Sequence, residues 1–204
     1  MSLHRLAQRT SWIFDLDGTL TCPVHDFGYI RHELDIPETA DILEHIAALP
    51  EPESRWRRVR LDEIEYRLAE RAEAAPGAVE WVRHLHRRGA LLGILTRNSR
   101  SVALQTLTAI GLAECFDPDH VLGRDEAPPK PDPAGIHHLL DLWRVSVDMA
   151  VMVGDYLYDL QAGRAAGIMT VQVGRPDGKQ WPDEADLLVG TLAEILAFSS
   201  GETF

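Results

Sequence analysis

Apolar and polar residues are grouped in blocks along most of this chain. From about residue 79 onward, short β-prone apolar runs trade places with stretches of helical periodicity, the signature of a parallel α/β sheet. The runs at 91–95, 120–122, 149–153, 169–173 and 187–189 are predicted strands. Helices are predicted over 79–88, 99–110, 159–166 and 191–198, with a further one starting at Pro133. Gly89, Gly111 and Gly167 stand just past three of these helices, where a left-handed residue lacking a Cβ closes a last turn without strain. Leu104, Leu107 and Ile110 share one face of the second. Asp132 is placed to cap the helix that Pro133 opens. Residues 201–204 read as a loose tail.

Upstream the pattern changes. Ser11-Trp12-Ile13-Phe14 is an apolar, β-prone run, but residues 21–75 contain no convincing strand. Helical stretches fall at 27–34, 40–49 and 58–74, and Leu49-Pro50-Glu51-Pro52-Glu53 separates the second from the third. Pro76-Gly77 marks the return to the α/β pattern. The predicted architecture is an α/β, Rossmann-like parallel sheet with helices on both faces, built from residues 1–20 and 76–204. A small all-helical domain, residues 21–75, is inserted after the first strand.

Composition narrows the partners. A 204-residue chain with 45% hydrophobic and 25% charged residues is that of an ordinary soluble globular protein. A net charge of −12 without a basic stripe argues against nucleic acid and anionic membranes. Residues 1–10 are polar and lack the apolar core of a signal peptide, and no apolar stretch is long enough to span a bilayer. Cys22 and Cys115 lie far apart with no C-x-x-C spacing, as reduced thiols do in a cytoplasmic protein. A cytoplasmic monomer or homodimer is therefore expected.

Candidate chemistry lies at the strand ends. Asp15-Leu16-Asp17-Gly18-Thr19-Leu20 sets two carboxylates one residue apart where residues 11–14 give way to a turn, since Asp and Gly break strands. Open α/β sheets hold their ligands at that carboxyl edge. Carboxylates this close repel unless a cation or a shared proton relieves them. Taken alone, the pair reads equally well as an acidic turn. Thr96 follows the strand at 91–95, and Asp155 and Asp159 follow the one at 149–153. The 20 basic residues are nearly all arginine, and the only lysines are Lys130 and Lys179. Lys130 lies beyond 120–122, within Ala127-Pro128-Pro129-Lys130-Pro131-Asp132-Pro133. Parallel strand ends converge, so these residues form one set of carboxylates, an ammonium and a hydroxyl. Hard oxygen ligands suit Mg²⁺, while the hydroxyl and ammonium suit the oxygens of a phosphoryl group. Phosphoryl transfer through an aspartyl-phosphate fits this set.

Four segments in this order resemble the motifs of the haloacid dehalogenase superfamily, in its helical-cap, phosphoglycolate-phosphatase-like branch. They are Asp15-Leu16-Asp17-Gly18-Thr19, Leu95-Thr96-Arg97-Asn98, Lys130-Pro131-Asp132-Pro133 and Val153-Gly154-Asp155-Tyr156-Leu157-Tyr158-Asp159. The last continues into Ala162-Gly163-Arg164-Ala165-Ala166-Gly167. The resemblance implies that Asp15 is the nucleophile and Asp17 the acid and base. It implies that Thr96 holds phosphoryl oxygens and that Lys130 neutralises charge on Asp15 and the phosphoryl group. Arg97, Asn98 and His25 join Thr96 and Lys130 in the implied substrate-binding set. Mg²⁺ is implied at Asp15, the backbone carbonyl of Asp17, Asp155 and, less directly, Asp159. Thr19 either braces the turn or is purely structural.

The implied activity is Mg²⁺-dependent hydrolysis of a small phosphate monoester, phosphoglycolate being the first guess. Dehalogenating relatives lack the acid two residues after the nucleophile, which is present here as Asp17. A Schiff-base branch needs a cap lysine, and residues 21–75 contain none. A β-phosphoglucomutase-like phosphotransferase shares the core machinery and stays open. A phospho-accepting signalling or interaction domain without turnover is a rival of another class; the order of the acid pairs and the insertion speak against it. Specificity is expected in the insertion. His25, Asp26 and Arg31 follow the first motif, and the run Arg55, Arg57, Arg58 and Arg60 is either an anion site or a solvated helix face. Tyr156 and Tyr158 either line the pocket or fill space. His84, His86, His137 and His138 are expected at the periphery.

Overall fold

The computed structural model describes residues 5–199. In chain order its elements begin β1 (Ser11–Phe14), α1 (Phe27–Glu33), α2 (Ile42–Ala48), α3 (Glu53–Ala69), α4 (Ala78–Arg87), β2 (Leu91–Leu95) and α5 (Arg100–Ala109). They continue β3 (Val121–Leu122), α6 (Ala134–Trp143), β4 (Ala150–Gly154), α7 (Leu157–Ala165), β5 (Met169–Val173), β6 (Leu187–Val189) and α8 (Leu192–Ser199). The six strands form one sheet in the order β3-β2-β1-β4-β5-β6, with every pairing parallel. The chain reverses its direction of travel across the sheet at β1, which makes the carboxyl end of β1 the place where a crevice opens.

A parallel sheet is covered on both faces, which is why most of its strands read as apolar runs, although β1 buries Ser11 and β5 buries Thr170 and Gln172. Successive side chains alternate between faces. Trp12 and Phe14 join Trp81 of α4, Leu107 of α5 and Ile195 of α8 in one buried cluster. Ile13 joins Leu95, Met152, Leu139 of α6 and Ala162 of α7 in the other. Trp12 meets Trp81 edge to face, with centroids 5.1 Å apart. Gly89, Gly111 and Gly167 close their helices at φ of 71°, 70° and 75°. The Ala134 amide donates to Asp132 Oδ1 at 2.8 Å, but the N-cap position of α6 falls on Pro133 and not on Asp132, so the helix begins one residue later than expected, at Ala134.

Helices α1 to α3 form the insertion and share a small core of Ile30, Leu34, Ile36, Ile46, Leu61 and Ile64. The third helix runs over Glu53–Ala69 rather than 58–74. Pro52 has no N–H to lose and opens the first turn, which moves the start upstream. At the other end, residues near 74 take an extended path. Thr21 bridges Ala74, the Cys22 amide donates to the Glu73 carbonyl and the Ala75 amide to the Leu20 carbonyl, both at 2.9 Å. The two strands of chain that connect the insertion to the sheet are thus paired with each other. Among the described residues no helix is long and apolar enough to cross a membrane. The tail at 201–204 lies outside the described residues.

Candidate active site

The loops that leave β1, β2, β3 and β4 carry the polar residues of the site. Asp15 continues the ladder beyond β1, its amide donating to the Val153 carbonyl at 2.9 Å. The Thr96 amide does the same from β2 to the Leu122 carbonyl at 3.0 Å. Lys130, from the loop after β3, reaches Asp15 Oδ1 at 2.5 Å and Asp159 Oδ1 at 2.7 Å. The Tyr156 amide donates to Asp159 Oδ2 at 3.0 Å, which ties that carboxylate to the start of α7. Oxygens of Asp15, Asp155 and Asp159, all buried, lie within 4.8 Å of one another. Two glycines make this approach possible. Gly18 has φ of 84°, and a Cβ there would lie 2.8 Å from Asp155 Oδ2; one at Gly154 would lie 2.2 Å from the Asp159 Cβ.

Burial dominates the electrostatics. It pushes the Asp15 carboxyl up, against the pull of Lys130. Asp155 is pushed up to about 7 by burial and by the charges of Asp15 and Asp159, and Asp159 to about 6 by burial against the pull of Lys130. Burial alone would lower Lys130, but Asp15 and Asp159 overcome it and the ammonium keeps its proton. Arg175 Nη1 adds a second cation, 2.7 Å from Asp155 Oδ2. Three buried carboxylates against these two cations form an all-oxygen donor set with uncompensated negative charge. That donor set fits Mg²⁺.

The Asp17 carboxylate stands apart from this trio. It accepts the Asn98 amide Nδ2 at 2.6 Å and lies 3.7 Å from His25 Nδ1. Thr96 Oγ1 accepts the Asn98 backbone amide at 3.2 Å, which ties the first and third residues after β2 together.

Asp15, Asp17, His25, Thr96, Arg97, Asn98, Lys130, Asp155 and Asp159 all line one cavity of about 460 Å³, to which the insertion also contributes lining residues such as Phe27, Ile42 and Leu61. Tyr156 and Tyr158 line it too. Arg97 does so already engaged: its Nη2 lies 2.8 Å from both oxygens of Asp41, and its guanidinium sits over the Tyr158 ring. Asp26 is taken up as the cap of α1. Arg57 donates to the Leu34 carbonyl, Arg58 to Ser54 and Arg60 to Glu33. Arg57 and Arg60 thus brace α3 against the end of α1, Arg58 bonds within α3, Arg55 is exposed, and none of the four lines the cavity. His84 packs against Trp81, and His86, His137 and His138 are exposed.

Three features escape a reading of the sequence. Arg175 follows Gly174 at the carboxyl end of β5, so the rule that picks out Asp155 would have found it. The Arg97–Asp41 pair has no local signal, and neither does Arg124, which reaches Glu65 Oε2 at 2.8 Å and Asp62 Oδ1 at 2.5 Å. Both join core loops to the insertion.

Comparison with known proteins agrees with this geometry. A family described as haloacid dehalogenase-like hydrolase matches residues 12–167. An uncharacterized hydrolase of Saccharomyces cerevisiae is 30% identical over 162 residues, covering 78% of this chain and 74% of its own. A phosphoglycolate phosphatase of Vibrio cholerae is 26% identical, covering 92% of this chain and 96% of its own. The crystal structure of a hydrolase from Pseudomonas syringae superposes with a TM-score of 0.76 at 22% identity, covering 96% of this chain and 100% of that one.

Proposed function

This chain belongs to the haloacid dehalogenase-like hydrolases, and on that premise we propose that it is a Mg²⁺-dependent phosphatase. Its substrate is a small phosphate monoester of the phosphoglycolate type, cleaved through an aspartyl-phosphate. The observation that carries the reading is Lys130 Nζ at 2.5 Å from Asp15, inside a trio of buried carboxylates and on the same cavity as Asp17.

Asp15 attacks phosphorus in line, and the bond to the leaving oxygen breaks. Asp17 gives that oxygen a proton; Asn98 holds the carboxylate in place for the task. In the second step water attacks the phosphorus of the aspartyl-phosphate, Asp17 takes back a proton, and Asp15 leaves as a free carboxylate with release of phosphate. Lys130 counters the charge of Asp15 and of the phosphoryl oxygens, for which Thr96 supplies a hydroxyl. Asp15, Asp155, Asp159 and the Asp17 carbonyl are the groups that would hold Mg²⁺. When bound, the ion supplies charge neutralisation that lets an anionic nucleophile meet an anionic ester.

We read residues 1–20 and 76–204 as the catalytic core and 21–75 as a cap, a division supported by the separate apolar cluster of α1 to α3 and the paired connections near Thr21 and Ala74. Cys22 and Cys115 are free thiols, which suits the reducing cytoplasm. The test is a screen of phosphate esters with and without Mg²⁺, with Asp15→Asn as control. Stoichiometric phosphate release that needs Mg²⁺ and disappears in Asp15→Asn is the expected result. Inertness toward every ester, an activated aryl phosphate included, defeats the reading. Dependence on a bisphosphate activator with little free phosphate would mark a mutase instead.

A further inference from the structure

The cavity that holds Asp15 is lined by Arg31, Arg97, Lys130 and Arg175. Three of these are matched to carboxylates: Lys130 to Asp15 and Asp159, Arg97 to Asp41, and Arg175 to Asp155 and Asp177. Arg31 is different. It donates from Nε to the Ala40 carbonyl at 3.0 Å and from Nη1 to the Phe27 carbonyl at 3.1 Å, and among the described residues it has no carboxylate partner.

We propose that Arg31 is the specificity residue of the insertion and receives a second anionic group, a carboxylate or a phosphate, carried by the leaving group of the substrate. The proposal rests on the phosphatase reading above. Two carbonyls fix the guanidinium plane without neutralising it, so the fork is oriented in advance while its charge is left for a ligand. A planar fork of this kind matches the oxygens of a carboxylate or phosphate. Ile30, Ile42 and Leu43 line the same cavity, so apolar side chains stand on the wall that Arg31 shares.

Asp15, Asp17, Asp155 and Asp159 make the nucleophile end strongly acidic, and Lys130 is committed there. A second anion needs a cation of its own elsewhere in the cavity. Arg57, Arg58 and Arg60 do not line it, and Arg97 is held by Asp41. A cavity of about 460 Å³ falls within the range of small-ligand sites.

The test compares kcat/KM for phosphoglycolate, pyrophosphate and p-nitrophenyl phosphate in the wild type, Arg31→Gln and Arg31→Lys proteins. In Arg31→Gln the ratio of a doubly anionic substrate to p-nitrophenyl phosphate should fall about 10- to 100-fold, the worth of one charge-assisted pair. The loss should lie in KM rather than kcat, and Arg31→Lys should restore part of it. A larger fall for phosphoglycolate assigns a carboxylate; a larger fall for pyrophosphate assigns a phosphate. Unchanged ratios overturn the proposal. A thermal-shift titration with phosphoglycolate and pyrophosphate, in Asp15→Asn with and without Arg31→Gln, reads binding without turnover. A wild type inert toward all esters would defeat the phosphatase reading, while the titration still decides the role of Arg31: equal shifts from both proteins overturn it.

Discussion

Arg97 Nη2 lies 2.8 Å from both carboxylate oxygens of Asp41, joining the residue after Thr96 to the first turn of α2. Asp41 also caps that helix, accepting the Leu43 and Glu44 amides at 3.1 Å each. Burial pushes the Asp41 carboxyl up, yet the Glu44 amide and Arg97 together hold it below its ordinary value. A depressed carboxylate contributes stability above its unfolded pKa and loses it as pH falls through the folded one. Asp41→Ala should destabilise the protein by about 1 kcal/mol through loss of the cap. A double-mutant cycle with Arg97→Ala should add a coupling of about 0.5 kcal/mol, as befits a half-exposed pair. Urea unfolding measures both; zero coupling would mean that the contact holds nothing together.

The pair between Arg124 and Glu65 is more deeply buried. Burial raises the Glu65 carboxyl in spite of Arg124 beside it, so removing the guanidinium leaves an unmatched acid inside the protein. Arg124→Ala should cost about 3 kcal/mol in urea unfolding, and Arg124→Ala with Glu65→Gln should recover part of that. A double variant no more stable than the single one would contradict this account.

Stability without metal should depend on pH through Asp155 and Asp159. Unfolded, these acids titrate near 3.8; folded, they hold their protons to about 7 and about 6. Between those values the folded state binds more protons, so stability is full below the unfolded pKa and declines as pH rises through the folded ones. In EDTA, Tm should fall between about pH 4 and about pH 7, and Asp155→Asn should flatten that slope. Mg²⁺ should raise Tm more at the higher pH, where its ligands are already ionised. A Tm in EDTA that rises over this range would refute the charge balance described for the site.

Gly18→Ala tests the close approach of the first turn to Asp155. The added Cβ would meet Asp155 Oδ2 at 2.8 Å, on a backbone with φ of 84° that L residues rarely adopt. Mg²⁺ affinity, read by titration calorimetry, should fall about tenfold or more as Asp155 is displaced, a change on the order of 1.4 kcal/mol. Unaltered affinity would show that Asp155 moves aside freely.

Strands β1 to β6 and the glycines that close α4, α5 and α7 were legible because each rests on a few adjacent residues. Buried parallel strands are mostly apolar, and a left-handed last residue favours Gly wherever it falls. The same holds for Asp15, Thr96, Lys130 and Asp155. Each follows an apolar run, and parallel topology carries such residues to one edge. The bounds of α3 were not legible, because residues near Ala74 gave up helical bonds to pair with Thr21 and its neighbours, a partner more than fifty residues away.

By itself, then, the sequence determined the order of strands and helices, the helical insertion and the members of the acidic cluster. Only the tertiary structure decided which cations are already spent. Arg97 and Asp41 are 56 residues apart, and their pairing depends on how the insertion sits on the core. Lys130, Arg97 and Arg175 look no more committed than Arg31 in a linear reading. Ion pairing acts through space over a few ångströms, so only docking leaves Arg31 alone among them with carbonyls in place of carboxylates.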